Sequence, residues 1–309
     1  MRAATSLGRK TIRMASGLVN LFVLTVILLL VAFSGYAIWD SGQVHNAASA
    51  RNYEMYKPTI ESETASFAEL QAINPDVFAW LTVYGTNIDY PLVQGADNLR
   101  YINTDAKGRH SPSGAIFLDY RASPNFSDFS NILYGHHMEN QVMFGEIGLF
   151  SDKNYFDARQ YGMLHVDGQD YGLTFFAFVH ADAYDFDVFR VNITEREEQE
   201  AYLALLMQMA SHTREDVSVT ADNRIILLST CSSNSTNGRD ILIAKITDIL
   251  QRDPFEREEA GHLHTVPMID GLSNFWAQNP LWVNVGLVAM ASLLILLTAI
   301  LVYTKRRRR

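Results

Sequence analysis

The chain has 309 residues, of which 48% are hydrophobic, 11% aromatic and 19% charged. This composition supplies ample material for a hydrophobic core and excludes an intrinsically disordered or collagen-like protein. The formal net charge of −9 is unevenly distributed, because all 34 acidic residues lie between Asp40 and Asp270 while four basic residues precede position 14 and five end the chain. The segment between the basic tails has 16 basic against 34 acidic residues, a net charge of −18.

The first predicted element is an uncharged apolar segment at residues 14–39, which follows a basic tail at residues 1–13. A helix that spans a bilayer needs about 20 such residues. A cleaved secretory signal is the alternative, but its apolar region normally has about 7–15 residues and precedes a small-residue cleavage site. The greater length favours an uncleaved transmembrane helix.

A second uncharged segment, residues 281–303, precedes the basic tail at residues 304–309. Trp276, Trp282 and Tyr303 flank it, as is typical of residues at a membrane interface. Five terminal basic residues argue against a glycolipid-anchor signal, which also ends in an apolar tail. Because basic residues mark the cytoplasmic ends of membrane spans, the pattern predicts a two-pass cell-membrane protein with both termini in the cytoplasm and the acidic segment outside.

Between the two spans we expect a juxtamembrane stalk at residues 40–63, a folded domain at residues 64–250 and a linker at residues 251–280. Within the folded domain, Ser66 and Glu69 form a capping-box pattern. This pattern predicts a short helix, which Asn74-Pro75 ends.

After the short helix the chain changes to short apolar or alternating runs separated by Gly, Asn, Asp and Pro. Such runs predict many short strands and a mainly β fold, a barrel or a sandwich. The runs are VFAWLTV, NIDYPLV, GAIFLDY, NILYG, YGMLHVD, YGLTFFAFVHA, RIILLST and DILIAKI. A helix near residues 194–212 interrupts them, since Thr194 and Glu197 form a second capping box and apolar residues from Tyr202 to Met209 share one helical face. We interpret this face as core packing rather than as a surface for a partner.

Cys231 is the only cysteine in the chain and lies in the segment predicted to face the exterior. With no second cysteine for a disulfide, its thiol is either buried and inert or reactive. Because an ordinary thiol is only a few per cent ionised near neutral pH, a nucleophilic role requires a base within reach.

Candidate partners for the thiol also lie at predicted strand ends. His136 and His137 follow the run NILYG, where a rigid scaffold can present loop residues. Arg239 precedes the run DILIAKI, and its fixed fork of donors suits the stabilisation of an oxyanion. The sequence does not show whether these strand ends are close in space.

Taken together, these motifs resemble the class B sortases, the membrane-anchored cysteine transpeptidases of Gram-positive surfaces. The resemblance covers residues of about 70–246 and rests on INPDVFAWLTVYGTNIDYPLVQG, SGAIFLDYR, NILYGHHM with MFGEIGLF, and LLSTCSSNSTNGRDILIAK. It implies an eight-stranded β-barrel with short helices and an added helix near residues 194–212. It also implies Cys231 as the nucleophile, His136 as the acid and base, and Arg239 as the clamp for oxyanion and substrate, with His137 as the competing base.

The resemblance further implies an acyl-transfer reaction. The thiolate attacks the Thr carbonyl of a C-terminal sorting signal, LPxTG-like or NPxTx-like, and His136 protonates the leaving amine. An amine then resolves the thioacyl-enzyme: a pilin lysine, the peptidoglycan cross-bridge or its lipid II precursor. The expected partners are a surface protein or pilin, an amine acceptor and the membrane, and no cofactor or metal is expected.

Two features bear on the class of sortase. A C-terminal span is atypical of class B and more typical of the pilin-polymerising class C, so both pilus polymerisation and attachment of single proteins to peptidoglycan stay open. Class C members also carry an N-terminal lid with an Asp-Pro-aromatic tripeptide. Asp253-Pro254-Phe255 has these letters but follows the last predicted strand, and we interpret it as a turn.

Other classes of function have weaker support. A catalytically inactive binding or scaffold module on the same barrel is the alternative to an enzyme, but it leaves the joint presence of Cys231, His136 and Arg239 without a purpose. A metallohydrolase would have only His262 and His264 in a polar linker, without an evident set of carboxylate ligands. The sequence contains no Gly-rich phosphate loop and no basic patch that would indicate a nucleotide or nucleic acid.

Overall fold

The computed structural model describes residues 2–58, 65–231 and 237–256. Most of the predicted linker, the second predicted span at residues 281–303 and the basic tail at residues 304–309 lie outside the described residues. The chain begins with α1 (Arg2–Ala48). Its segment Ala15–Ala48 contains a stretch with a mean hydropathy of 2.6 and is long and apolar enough to cross a membrane.

Eight strands of the described chain close a β-barrel, and each of the eight predicted runs overlaps one of them. The strands are β1 (Val77–Val83), β2 (Asp89–Val93), β3 (Ile116–Leu118), β4 (Ser130–Tyr134), β5 (Tyr161–Val166), β6 (Gln169–Asp182), β8 (Ile225–Cys231) and β9 (Gly238–Thr247). The strand order is β5-β1-β2-β3-β4-β8-β9-β6, and pairing between β5 and β6 closes it. Two neighbouring pairs, β2–β3 and β4–β8, are parallel.

The ninth strand, β7 (Ala210–Thr213), was not predicted. It pairs with the second half of β6, whose first half pairs with β5 along the same edge. The other edge of β6 pairs with β9 from Gly172 to Asp182. The sequence ASHT has one apolar residue, so β7 forms because the long β6 offers an unpaired edge rather than because of its own pattern.

The remaining helices are α2 (Ala65–Ile73), α3 (Lys153–Ala158) and α4 (Arg196–Met209). Helix α2 ends before Asn74, as predicted, but it begins before Ser66, so Ser66 does not occupy the N-cap position. The N-cap residue of α4 is Glu195 instead of Thr194, and it makes no side-chain capping bond. The predicted starts of both helices were therefore wrong, although the existence of the helices is confirmed.

Two apolar clusters hold the domain together. One gathers residues from all eight barrel strands, among them Trp80, Leu92, Leu133 and Phe175. The other lies between α4 and the strands β4, β6, β8 and β9. Tyr202 and Leu206 of α4 are buried in it, which confirms that this helical face is core packing. Because alternate residues of β8 enter the two clusters, this strand is apolar on both faces.

The predicted juxtamembrane stalk is packed against the barrel. After α1 ends, two 3₁₀ turns at Ala50–Asn52 and Glu54–Tyr56 follow, and Tyr53 and Tyr56 are buried. The ammonium group of Lys107 lies 5.5 Å from the ring centre of Tyr53 and 4.9 Å from that of Tyr56. The chain is thus ordered on the barrel surface at least to the second turn.

The segment after β9 also returns to the barrel. The backbone N–H of Phe255 donates to the carboxylate of Asp253 at 2.8 Å, so Asp253-Pro254-Phe255 forms the turn that we expected. The Tyr84 hydroxyl donates to the carbonyl of Gln251 at 3.2 Å. This segment is therefore attached to the connection between β1 and β2.

Candidate active site

The end of β4 brings His136 next to the end of β8. The two strands are parallel, with Tyr134 opposite Ser229. The pairing continues beyond β4, because the N–H of Gly135 donates to the carbonyl of Ser229 at 3.2 Å. His136 is two residues beyond Tyr134 and Cys231 is two residues beyond Ser229, so the register brings these two positions side by side.

The antiparallel pair β8–β9 adds Arg239 to the same row. Cys231 is directly opposite Arg239 in the register, and directly opposite positions share one face of a sheet. The half-buried Arg239 donates from Nη1 to the carbonyl of Gly238 at 3.1 Å. The side chain of Cys231 and residues 232–236 lie outside the described part of the chain. The fold therefore brings the three predicted positions together at one end of the barrel.

The residue before His136 must be a glycine. A Cβ at Gly135 would lie 2.7 Å from the ring of Phe144, which is closer than real contacts allow. The half-buried His136 places Nε2 at 2.8 Å from the carbonyl oxygen of Ile102. Because a carbonyl only accepts, Nε2 carries the hydrogen and donates it. The tautomer fixed in this way leaves Nδ1 as the nitrogen that can exchange a proton.

His137, the competing candidate, has different surroundings. Its backbone pairs with Met143 across a short loop, and its Nδ1 is buried without a hydrogen-bond partner among the described residues. His136 lines the cleft at the strand ends, whereas His137 is not among the residues that line it. The geometry thus favours His136 over His137.

The cleft beside this row has a volume of about 430 Å³, which is in the usual range for ligand-binding sites. His136, Thr230 and Arg239 line it where β4, β8 and β9 end. Four aromatic residues from β3, β4 and the connection between β6 and α4 contribute to its walls. These aromatic residues are Phe117, Tyr134, Phe186 and Phe189. The cleft therefore presents both aromatic and polar side chains to a ligand.

One polar cluster on the cleft wall was not predicted. The fully buried carboxylate of Asp119 accepts hydrogen bonds from Arg121, Asn98 and Tyr134, all of which line the cleft. Burial opposes ionisation of Asp119, but the hydrogen bonds from Arg121 and Asn98 outweigh it and hold the pKa of this carboxyl below its usual range. Burial, together with the charge of Asp119, raises the pKa of Tyr134. The sequence signal that could have indicated this cluster was the spacing of Asp119 and Arg121, two residues apart directly after an apolar strand.

Comparison with known proteins points to one family, although no protein-family model matches the chain. The chain is 33% identical over 180 residues to sortase B of Listeria monocytogenes, over 58% of this chain and 72% of that protein. It resembles the crystal structure of sortase B from the type II pilus of Streptococcus pneumoniae, with 47% identity, a TM-score of 0.53, and coverage of 60% of this chain and 100% of that one. It also resembles a class B sortase of Streptococcus pyogenes involved in pilus biogenesis, with 41% identity, a TM-score of 0.53, and coverage of 58% and 97%.

Proposed function

Because the chain belongs to the sortase B family of cysteine transpeptidases, we propose that its domain at residues 64–250 cleaves a C-terminal sorting signal and joins the cleaved protein to an amine. The observation that carries this proposal is the row of His136, Cys231 and Arg239 across the ends of β4, β8 and β9, beside a peptide-sized cleft. In this proposal Cys231 is the nucleophile, His136 the general acid and base, and Arg239 the oxyanion clamp.

The first half-reaction forms the thioacyl-enzyme. The thiolate of Cys231 attacks the Thr carbonyl of the sorting signal, and the guanidinium of Arg239 stabilises the oxyanion that develops. His136 takes up the thiol proton of Cys231 on Nδ1 when the thiolate forms, and it gives that proton to the leaving amine as the peptide bond breaks. The hydrogen bond from Nε2 to Ile102 holds the imidazole ring in the orientation that this transfer needs.

The second half-reaction transfers the acyl group. An incoming amine attacks the thioester carbonyl, His136 removes a proton from that amine, and the thiolate of Cys231 leaves. The product is an amide bond instead of a hydrolysed chain. We propose a pilin lysine as the acceptor, because two similar structures come from pilus systems and a second membrane span would suit polymerisation; an amine of peptidoglycan or of lipid II is the alternative acceptor.

We also propose a two-pass topology for the full chain. A span at residues 14–39 lies within α1, and a second at residues 281–303 follows the linker at residues 251–280. The basic tails at residues 1–13 and 304–309 would then be cytoplasmic, and the stalk at residues 40–63 and the domain would be outside the cell. The positive charges beside each apolar segment support this arrangement.

Turnover of sorting peptides by the full-length protein in detergent tests the catalytic assignment. Cys231→Ala should abolish peptide cleavage and the thioacyl adduct seen by mass spectrometry. His136→Ala should lower kcat by about 10²–10⁴-fold, which is the usual contribution of a general acid and base. The matched variant His137→Ala should retain most activity. Full activity of His136→Ala with an inactive His137→Ala would contradict the assignment. If the wild-type protein cleaves no sorting peptide, the inactive scaffold would be favoured instead.

A second experiment separates the acceptors. The full-length protein is incubated with a purified pilin that carries a sorting signal, and separately with a peptide that mimics the peptidoglycan cross-bridge. Covalent ladders of pilin on denaturing gels are expected if a pilin lysine is the acceptor. Single adducts with the cross-bridge peptide, without ladders, would instead assign the protein to cell-wall attachment.

A further inference from the structure

The carbonyl of Ile102 is the acceptor that holds the imidazole of His136, and its own position is fixed by other parts of the chain. Ile102 ends a 3₁₀ turn at Arg100–Ile102. Its oxygen lies 2.8 Å from Nε2 of His136. A hydrogen bond keeps a ring in one orientation only if its acceptor stays in place, so supporting residues matter as much as the bond itself. The position of the Ile102 carbonyl therefore determines the direction in which Nδ1 of His136 points.

Gly114 lies directly against this carbonyl. Its φ of +60° is in the left-handed region that favours glycine, and an added Cβ would lie 2.6 Å from the oxygen of Ile102 and would also clash with the oxygen of Tyr101. The N–H of Gly114 donates to the carbonyl of Ser111 at 3.0 Å, and the N–H of Ala115 donates to that of Tyr101 at 3.0 Å. Only a glycine allows the segment before β3 to lie this close to the turn.

The side chain of Tyr101 attaches the same turn to the connection between α2 and β1. This side chain is fully buried. Its hydroxyl donates to Oδ2 of Asp76 at 2.7 Å and accepts from Nδ2 of Asn74 at 3.0 Å. Burial raises the pKa of Tyr101 to about 12, so the hydroxyl keeps its proton and can donate it. Arg100, in the same turn, pairs with Oδ2 of Asp76 at 2.8 Å. The turn is thus held at two successive residues.

Tyr101 and Gly114 share a target and lie outside the cleft. The described residues that line the cleft include Ile102 but neither Tyr101 nor Gly114, so both act through the carbonyl of Ile102 instead of touching a substrate there. We propose that Tyr101 and Gly114 are positioning residues of the reaction, which hold the Ile102 carbonyl where it orients the imidazole of His136. This inference rests on the proposed function, since that function makes His136 the general acid and base.

Gly114→Ala tests the contact with the carbonyl by turnover of a sorting peptide with the full-length protein in detergent. We expect kcat to fall by about 10–100-fold, because a misplacement of about 1 Å can cost about 10²-fold. KM should change by less than about twofold, since the residues that line the cleft stay the same. Gly168→Ala is the matched control. Gly168 has a φ of +73° and no atom within 4 Å of an added Cβ, so alanine there strains the backbone without displacing a neighbour. Equal losses of kcat in the two variants would overturn the role of Gly114.

Nitrogen-15 NMR of the histidine side chains tests the orientation of His136 without any reaction. In a Cys231→Ala background at about pH 9, where an ordinary imidazole is neutral, His136 should carry its hydrogen on Nε2. Its signals are those that disappear when His136→Ala is added. Gly114→Ala should give a mixture of the two tautomers, whereas Gly168→Ala should keep the Nε2–H form. An unchanged tautomer in Gly114→Ala would overturn its positioning role.

Tyr101→Phe tests the attachment of the turn and keeps the inference falsifiable if Gly114→Ala does not fold. It removes only the hydroxyl, so kcat should fall by more than about threefold with little change in KM. Tyr84→Phe is the matched control, because the Tyr84 hydroxyl also donates to a distant partner, the carbonyl of Gln251, and Tyr84 does not line the cleft. A full kcat in both Tyr101→Phe and Gly114→Ala would overturn this inference alone, whereas absence of cleavage by the wild-type protein would overturn the proposed function.

Discussion

At the scale of single residues, the side chains of the site form hydrogen bonds with partners that are distant in sequence. His136 depends on the carbonyl of Ile102, 34 residues earlier. Asp119 depends on Arg121, two residues later, but also on Asn98 and Tyr134, which are 21 and 15 residues away. The orientation of each group in the cleft is therefore a property of the folded barrel and not of a local motif.

The buried Asp119 should contribute to stability in a pH-dependent way. Because its pKa is lowered in the folded protein, its contribution is present above the unfolded pKa of about 3.9 and is lost as the pH falls through the folded pKa. Asp119→Asn should lower the free energy of unfolding by about 1–3 kcal/mol at pH 7. The difference from wild type should shrink below about pH 4. Urea unfolding at pH 7, 5, 4 and 3 measures it.

The exposed Asp216→Asn serves as the control for this series. It should change the free energy of unfolding little at any of the four pH values, since exposed charges contribute little to stability. A difference between wild type and Asp119→Asn that stays constant down to pH 3 would show that the loss comes from packing rather than from the ionised carboxylate.

Residues that lie beside a recognisable strand could be identified from the sequence, and those defined by long-range contacts could not. Cys231, His136 and Arg239 each adjoin an apolar run, so the sequence predicted their positions, and the resemblance to class B sortases supplied their proposed roles. The run GAIFLDY, which contains Asp119, was predicted as a strand, and Arg121 was noted only as part of that resemblance. The neighbouring sequence does not show that Asp119 is buried, because its burial depends on the packing of β3 against β4 and on Asn98, which lies 21 residues earlier and donates to its carboxylate.

At the scale of elements, hydrophobic pattern predicted strands better than capping pattern predicted helix starts. All eight barrel strands coincide with apolar runs, because strands buried on both faces, such as β8, need nearly continuous apolar sequence. Both capping boxes were wrong, since neither Ser66 nor Thr194 is the N-cap residue. A capping pattern adds about 1 kcal/mol, which is small beside the burial of Tyr202 and Leu206 that positions α4.

The Tyr90 hydroxyl joins three elements of the structure. It donates to the carbonyl of Ala48 at the end of α1 at 3.0 Å, and it accepts the N–H of Met143, in the loop after His137, at 2.9 Å. Burial raises the pKa of Tyr90 to about 12, so the hydroxyl stays neutral and can serve both partners. Through Tyr90 the C-terminal end of α1 contacts the loop that follows the proposed catalytic histidine.

Tyr90→Phe should therefore loosen both contacts without changing the packing of the ring. We expect a loss of about 1–2 kcal/mol in the free energy of unfolding, and faster hydrogen exchange at the amide of Met143. Tyr184→Phe is the control, because the exposed Tyr184 hydroxyl makes no hydrogen bond to a described residue. Unchanged exchange at Met143 in Tyr90→Phe would contradict a coupling through this hydroxyl.

Phe255 covers the connection between β1 and β2 at a glycine. Gly85 has a φ of +75°, and a Cβ there would lie 2.6 Å from the ring of Phe255. Gly85→Ala should therefore destabilise the protein by about 2 kcal/mol, about half from the left-handed backbone and half from the clash. In Phe255→Ala the same glycine substitution should cost only the backbone part. Thermal unfolding of the two single variants and the double variant measures this coupling, and strictly additive effects would show that the ring does not press on Gly85.

At the scale of the whole molecule, the distribution of charge carries more information than the net charge. The value of −9 is the sum of basic tails and a segment of −18. The acidic segment contains the barrel, and a sorting enzyme that faces outward would meet its substrates on this surface. Basic acceptors would be attracted only at short range, because charges are screened over about 8 Å at physiological ionic strength.

The single cysteine makes the proposed topology accessible to labelling. In a Cys231→Ala background, Arg309→Cys should react with a membrane-impermeant maleimide only after the cells are permeabilised, because the C-terminal basic tail is proposed to be cytoplasmic. Ser218→Cys, on the exposed surface of the barrel, should react in intact cells and serves as the control. Labelling of both variants in intact cells would place the C-terminal tail outside the cell and contradict the two-pass topology. Helix α1 would then be the candidate membrane anchor among the described residues. Labelling of neither before permeabilisation would place the barrel itself in the cytoplasm, where a sorting signal on a translocated protein could not reach the cleft.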